Sequence, residues 1–390
     1  MRPHFNIVIA GSLAQRPGVG GHTWVFLQYL LGFRQLGWDV LFLDALRPGM
    51  CVDEAGRESP LETSWNLRYF LDVMRRFALE GAFSLNYNRG EQVVGLPRAQ
   101  VLERVRRSAC LINVMGYCDD GEILAAARRR VFLDIDPGFG QMWRELGLAD
   151  LFAGHDSFVT IGQNVGRAGC DVPTCGMDWI TTPQPVVLEQ WPAAPIEQGL
   201  AGAFTSVVSW RGPFGPIEYK GRTYGLRVHE FRKFVELPRR TGQRFELAVD
   251  MDPTETRDIA LLDDNGWVRV NPRDVASTPD AYRQHIAASK AELMVAKNLY
   301  VDTKSGWFSD RSICYLASGR PVLAQDTGLK GLYPTGEGLL TFSTLDEAAV
   351  GVEAINRDYA RHAKAASVIA EQYFDSRKVL RKLLEQLGVA

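Results

Sequence analysis

Cysteine is scarce in this sequence and never closely paired. The six present, Cys51, Cys110, Cys118, Cys170, Cys175 and Cys314, are dispersed over 390 residues without a CxxC spacing. That excludes a disulfide scaffold and predicts reduced structural thiols. The nearest pair, Cys170 and Cys175 in CDVPTC, lacks the second Cys/His pair of a structural zinc site, so no metal centre is expected. An excess of one charge is missing too, since 44 Lys and Arg face 46 Asp and Glu for a net charge of −2. Such a balance gives no general attraction to nucleic acid or to an acidic membrane. Long apolar runs are absent as well. The N-terminal MRPHFNIVIAG carries about five apolar residues in a row, where a secretory signal needs roughly 7 to 15 and a membrane span roughly 20. A cytoplasmic protein without a membrane span is expected.

The chain is 46% apolar, enough to bury a large core, and its length favours two or three domains. Short β-branched runs alternate with helical stretches, the pattern of parallel sheets covered by helices on both faces. Strands are predicted at Asn6–Ala10, 39–44, 110–116, 130–136 and 157–164, with an apolar helix after the Gly11–Gly21 loop and an arginine-rich helix around 121–130. Residues 181–198 hold four prolines without a helical period and read as a linker. A second series follows, with strands at 204–210, 244–250, 266–272, 292–298 and 321–326. Helices are predicted over 222–240, from Thr278–Pro279 and over the SDRSICYLASG segment, with a final helical stretch over 345–388. The expected architecture is α/β: a Rossmann-like domain over 1–190, a second over 199–370, and a C-terminal helix, 371–390, packing back across both.

Ligands of open parallel sheets bind beyond the carboxyl ends of the strands, so candidate residues are sought there. After the first strand, Gly20 and Gly21 permit close approach of a ligand to backbone N–H groups, and His22 closes the loop at a helix start. A near-neutral imidazole there could orient or deprotonate a hydroxyl. A nicotinamide site, for which Asp44 would be the ribose acid, is disfavoured because the glycines lie too far past the strand for GxGxxG. Asp134 and Asp136, alternating on one strand, would share a face and contact substrate hydroxyls. In the second series, Ser209 and Arg211 at a strand end suit phosphate or sugar contact. Lys304, Ser305 and Gly306 lead into a helix opened by Ser309, Asp310 and Arg311. Asp310 favours that positive helix end, whereas Arg311 opposes it and would be explained by a bound anion. Removing Arg311 is therefore expected to cost turnover and leave the fold intact. Gln325, Asp326 and Thr327 place an amide, a carboxylate and a hydroxyl at the next strand end, groups suited to sugar hydroxyls.

The GVGGH loop, the SDRSICYLASGRPVL segment and the QDTG that follows it resemble the GT-B glycosyltransferases, in particular the group 1 and spore-maturation-type enzymes. The resemblance implies two facing Rossmann-like domains, acceptor binding by the first and nucleotide-sugar binding by the second. It also implies catalysis between them without a cofactor or obligate metal. Gly20, Gly21 and Asp134 would then meet the acceptor and His22 and Asp136 would be catalytic. Ser209, Arg211, Lys304, Ser305, Gly306, Ser309, Asp310, Arg311, Gln325, Asp326 and Thr327 would hold the donor, a nucleoside diphosphate sugar such as a UDP-sugar. The chain departs from many retaining members, whose two glutamates fall at Gly306 and Cys314 here. A sugar-nucleotide epimerase on the same scaffold, or a non-catalytic sugar-nucleotide-binding protein, is the alternative reading. The acceptor is left open, the 47–66 and 81–96 loops being uninformative.

Overall fold

A computed structural model describes residues 6–212 and 215–389. Met1–Phe5, the start of the N-terminal stretch read above, and Pro213–Phe214, within the loop after the 204–210 run, lie outside it. The first sheet has eight strands: β1 (Asn6–Ala10), β2 (Asp39–Leu46), β3 (Phe83–Tyr87), β4 (Gln92–Gly95), β5 (Cys110–Val114), β6 (Arg130–Asp134), β7 (Ser157–Thr160) and β8 (Trp179–Thr181). Their order is β4-β3-β2-β1-β5-β6-β7-β8. Only the β3–β4 edge hairpin is antiparallel. β9 (Phe204–Ser209) opens the second half, followed by a separate hairpin of β10 (Ile217–Tyr219) and β11 (Arg222–Tyr224). With β12 (Phe245–Asp250), β13 (Val268–Val270), β14 (Ala291–Met294), β15 (Val322–Gln325) and β16 (Leu339–Phe342), β9 forms a parallel sheet ordered β13-β12-β9-β14-β15-β16. In each sheet the order reverses beside the first strand, between β1 and β5 and between β9 and β14. Those reversals are where the loops part and a ligand crevice opens.

Strand alternation explains the layers. Ile7 and Ile9 of β1 point into one core and Val8 and Ala10 into another, as expected for a central strand buried on both faces. The first of these cores does not stop at the first half. It runs from Ile7 and Phe26 through Trp24, Trp191 and Tyr282 to Met294 and Tyr300 of the second half. The C-terminal segment also joins the halves. Val186 N–H donates to the Phe374 carbonyl at 2.7 Å and Ser376 N–H to that of Val186 at 2.9 Å. Helix Ser376–Gln386 then lies on helix Gly20–Gln35 at Gly32, where an added Cβ would come within 2.5 Å of Leu380. Among the described residues, no helix is long and apolar enough to cross a membrane.

Three local expectations need correction. The helix expected over 222–240 is preceded by the β10–β11 hairpin and begins at Arg227. Residues 81–96, read as loop, form the β3–β4 hairpin, a half-exposed edge whose polar residues hid the alternation. Asp136 lies beyond β6, which ends at Asp134, so the two aspartates do not share a strand face.

Candidate functional site

The carboxyl ends of the two sheets bring together the loop after β1, the turn after β6, and the segments after β9 and β14. The β1 loop is held from below. Asp44 at the end of β2 accepts from Ala14 N–H and Ala45 N–H, both at 2.7 Å, and Asn66 Nδ2 donates to the Ala14 carbonyl at 2.8 Å. Burial pushes the Asp44 carboxyl up to about 8 in spite of those donors. On the held loop, Ser12 receives His22. The Nε2 atom lies 3.0 Å from the Ser12 carbonyl oxygen and 3.2 Å from its Oγ. Burial, reinforced by the nearby Arg16 charge, lowers the imidazole to about 4 and keeps it neutral near pH 7. With Nε2–H donating to the Ser12 carbonyl, Nδ1 carries the lone pair and becomes the proton-accepting atom.

Opposite this loop stands a cluster of cations. Lys297, just past β14, reaches across the halves to both oxygens of Asp136, at 3.2 and 2.9 Å, and Tyr300 Oη donates to the same carboxylate. Burial lowers the Lys297 ammonium from its ordinary range, opposed by Asp136. Arg227 donates to the Ser209 carbonyl at 3.3 Å through Nη1, while its Nε is shut from solvent without a hydrogen-bond partner. Burial and the neighbouring Arg311 charge bring Arg227 down to about 10. An arginine with an unsatisfied N–H beside a second positive charge forms a site suited to an anion.

Arg311 itself is not the free cation the sequence suggested. It is buried, its Nε donates to Glu292 of β14 and its Nη1 donates to the Val207 carbonyl at 2.9 Å. Burial opposes its charge, but the Glu292 carboxylate holds it firmly protonated. A carboxylate on a neighbouring strand, invisible in local sequence, resolves the mismatch at the helix start. Arg311 Nη2 is still unpartnered.

Several other candidates have structural partners. Gly20 makes room for the second half rather than for a ligand, because a Cβ there would stand 2.3 Å from the Thr278 carbonyl oxygen. Gly21 packs beside the Tyr282 ring. Asp134 is buried and accepts from Gln141 at 2.7 Å and Thr160 at 2.8 Å, so it braces the sheet instead of facing a substrate. Arg211 forms an exposed pair with Glu255. The side chain of Ser209 is exposed, and its carbonyl holds Arg227. Ser309 accepts from Arg311 N–H at 3.2 Å as a helix cap, beside a buried-side Asp310 whose carboxyl burial pushes up. Lys304, Ser305, Gly306 and Thr327 belong to a seam. Asn164 Nδ2 donates to the Lys304 carbonyl at 3.0 Å and to that of Gly328 at 2.8 Å, and Asn164 N–H to that of Ser305 at 3.0 Å. Gly306 N–H donates to the Thr327 carbonyl at 2.8 Å. Gln325 donates to buried Glu230 at 2.7 Å, and Asp326 accepts from Gly328 N–H and from Lys304.

Of the residues proposed from sequence, then, Asp136 contacts the cluster through Lys297 and Tyr300, Arg311 lends it charge, and His22 sits on the loop after β1. Arg227, Lys297 and Tyr300 were missed. Lys297 stands at a strand end, a position that could have marked it, whereas Arg227 fell inside a stretch read as helix. Among the described residues there is no group of three or more His, Cys, Asp or Glu able to hold a metal ion.

No protein-family model and no curated protein sequence matches the chain. Solved structures do. HepE of Anabaena, in complex with UDP and glucose, superposes with a TM-score of 0.59 at 13% identity over 99% of this chain and 100% of that one. Sucrose-phosphate synthase of Thermosynechococcus elongatus gives 0.55 at 13% identity over 98% and 99%. An alpha-glucosyltransferase in complex with UDP gives 0.55 at 10% identity over 98% and 99%. The fold is thus the GT-B arrangement of two Rossmann-like units.

Proposed function

We propose that the protein is a glycosyltransferase that takes a sugar from a nucleoside diphosphate sugar and passes it to an acceptor hydroxyl between the two halves. The observation that carries this reading is Arg227, whose Nε is shut in without a partner beside the Arg311 charge, together with Lys297 just past the carboxyl end of β14. A diphosphate would satisfy Arg227 Nε and compete with Asp136 for Lys297. As the bond from the anomeric carbon to the diphosphate oxygen breaks, its electron pair leaves with the diphosphate, and these cations stabilise the growing charge. His22 Nδ1 takes the proton of the attacking hydroxyl. Two structural neighbours, HepE and the alpha-glucosyltransferase, were solved with UDP, and HepE also with UDP-glucose, which supports a UDP-sugar donor. Donor binding is assigned to the second half and acceptor binding to the first, with the protein at work in the cytoplasm.

Calorimetric titration with UDP, GDP, ADP and dTDP tests this reading. UDP is expected to bind, and heat from none of the four would overturn the assignment.

His22 gives a second test through pH. Its imidazole titrates near 4 in the free protein, and Arg16 contributes to that depression. Donor phosphates near Arg16 would offset its charge and raise the imidazole. The acid limb of the pH–rate profile is therefore expected near pH 4 in kcat/KM for the donor and at higher pH in kcat, since the two report free enzyme and complex. In stability the sign is separate. The unfolded imidazole takes up a proton near pH 6.5 that the folded one refuses until about 4, so stability falls as pH drops through that window. Profiles of His22→Asn with an unaltered acid limb would remove His22 from the reaction.

A further inference from the structure

The first half contains a cavity of about 430 Å3 that the mechanism above does not use. It opens at the same sheet edge as the His22 loop, and Gly11, next to Ser12, is part of its wall. Its size lies in the range of small-molecule pockets. Leu43, Leu46, Val93 and Ile123 supply apolar surface, with helices Arg98–Arg107 and Gly121–Ala126 closing the side. Two polar groups in this wall lack partners. Asn86 Oδ1 at the end of β3 is shut from solvent without a hydrogen bond, and Arg89 has neither an ion pair nor a side-chain hydrogen bond among the described residues.

The other arginines of the wall have acidic partners. Arg98 is paired with Asp120 and Glu122, and Arg47 with Asp119. Asp44 is occupied by the Ala14 and Ala45 N–H groups, and burial pushes its carboxyl up. Arg89, exposed at the wall, is the arginine there without an acidic partner among the described residues. It is presented by three successive left-handed residues, Asn88 at φ 45°, Arg89 at φ 58° and Gly90 at φ 101°. Glycine and asparagine accept that conformation, but Arg89 does not readily, and such strain gathers at ligand sites.

From these features we infer that the cavity binds a small hydroxylated acid with an apolar body. Its anionic group would meet Arg89, a hydroxyl would donate to Asn86 Oδ1, and its hydrocarbon would lie on the aliphatic wall. This inference rests on the transfer reading for its role: such a molecule would be the acceptor class, in place of a polymer lying along an open groove.

The probe is 4-hydroxybenzoate, titrated calorimetrically with its neutral counterpart 4-hydroxybenzyl alcohol and with indole-3-acetate as a larger acid. The acids are expected to bind at one site and the neutral alcohol at least about tenfold more weakly, the size of losing one charge-assisted contact. Arg89→Ala should cost the acids a similar factor, and Ala45→Phe, which fills the cavity, should abolish their binding. Both variants should keep wild-type UDP affinity, which doubles as a check on folding. With UDP-glucose present, 3,4-dihydroxybenzoate, which keeps a second hydroxyl free for His22, should accelerate UDP release more than 4-hydroxybenzoate, whose single hydroxyl is held by Asn86. Acid binding that survives both substitutions, equal binding of the alcohol, or no heat from either acid would overturn the inference. If UDP fails to bind while the acids do, the donor reading falls and the cavity assignment stands.

Discussion

Replacing Arg227 with alanine is expected to cut turnover by about a hundredfold to a thousandfold, the loss seen when one preorganised charge-stabilising donor is removed from an active site. UDP affinity should fall with it. The fold should survive, because the folded state gains little from this charge: burial and Arg311 already depress the guanidinium to about 10. A melting temperature equal to or above that of the wild type, together with the collapse in turnover, is the expected pair of results. Steady-state kinetics with UDP-glucose and a thermal melt check it. Turnover within about threefold of wild type would remove Arg227 from the donor site and leave Lys297 as the remaining candidate.

The second large effect is on stability. Arg311→Ala is expected to cost about 3 to 5 kcal/mol, because it strands Glu292 as an uncompensated buried carboxylate. That is a different outcome from the loss of turnover in an intact fold anticipated from the helix start alone. Replacing both partners, as in Glu292→Leu with Arg311→Leu, should recover most of the loss, since an apolar pair of similar volume can replace a buried ion pair at little net cost. Urea denaturation of the three proteins measures both numbers. A single variant destabilised by less than about 1 kcal/mol would show that Glu292 finds another partner or takes up a proton at little cost.

Much of the fold was legible because parallel strands buried on both faces read as continuous apolar runs. NIVIA, FTSVVS and the PVLAQ that holds β15 announce themselves in this way. Edge elements did not. β3 and β4 carry Ser84, Asn86 and Gln92 on a half-wet hairpin, and β10–β11 is three residues a side. The candidate site was half legible. Loops after strands led to Asp136, which the structure pairs with Lys297, and to His22, which it places on the loop after β1. What local sequence could not supply was pairing across distance. Glu292 neutralises Arg311 from 19 residues away, Lys297 meets Asp136 across 161, and Asn164 closes on Lys304 across 140. The same blindness made Gly20 look like a ligand loop, when the body that approaches it is Thr278.

The uninterrupted apolar core through Trp24, Trp191 and Tyr282 has a consequence for motion. Swinging the halves wide apart would wet that aromatic seam, together with the Trp24 indole N–H that now donates to the Pro279 carbonyl at 3.0 Å. Release of Lys297 from Asp136, by contrast, would break one ion pair and leave that seam buried. Burial of that seam therefore opposes wide separation of the halves far more than the Lys297–Asp136 pair does.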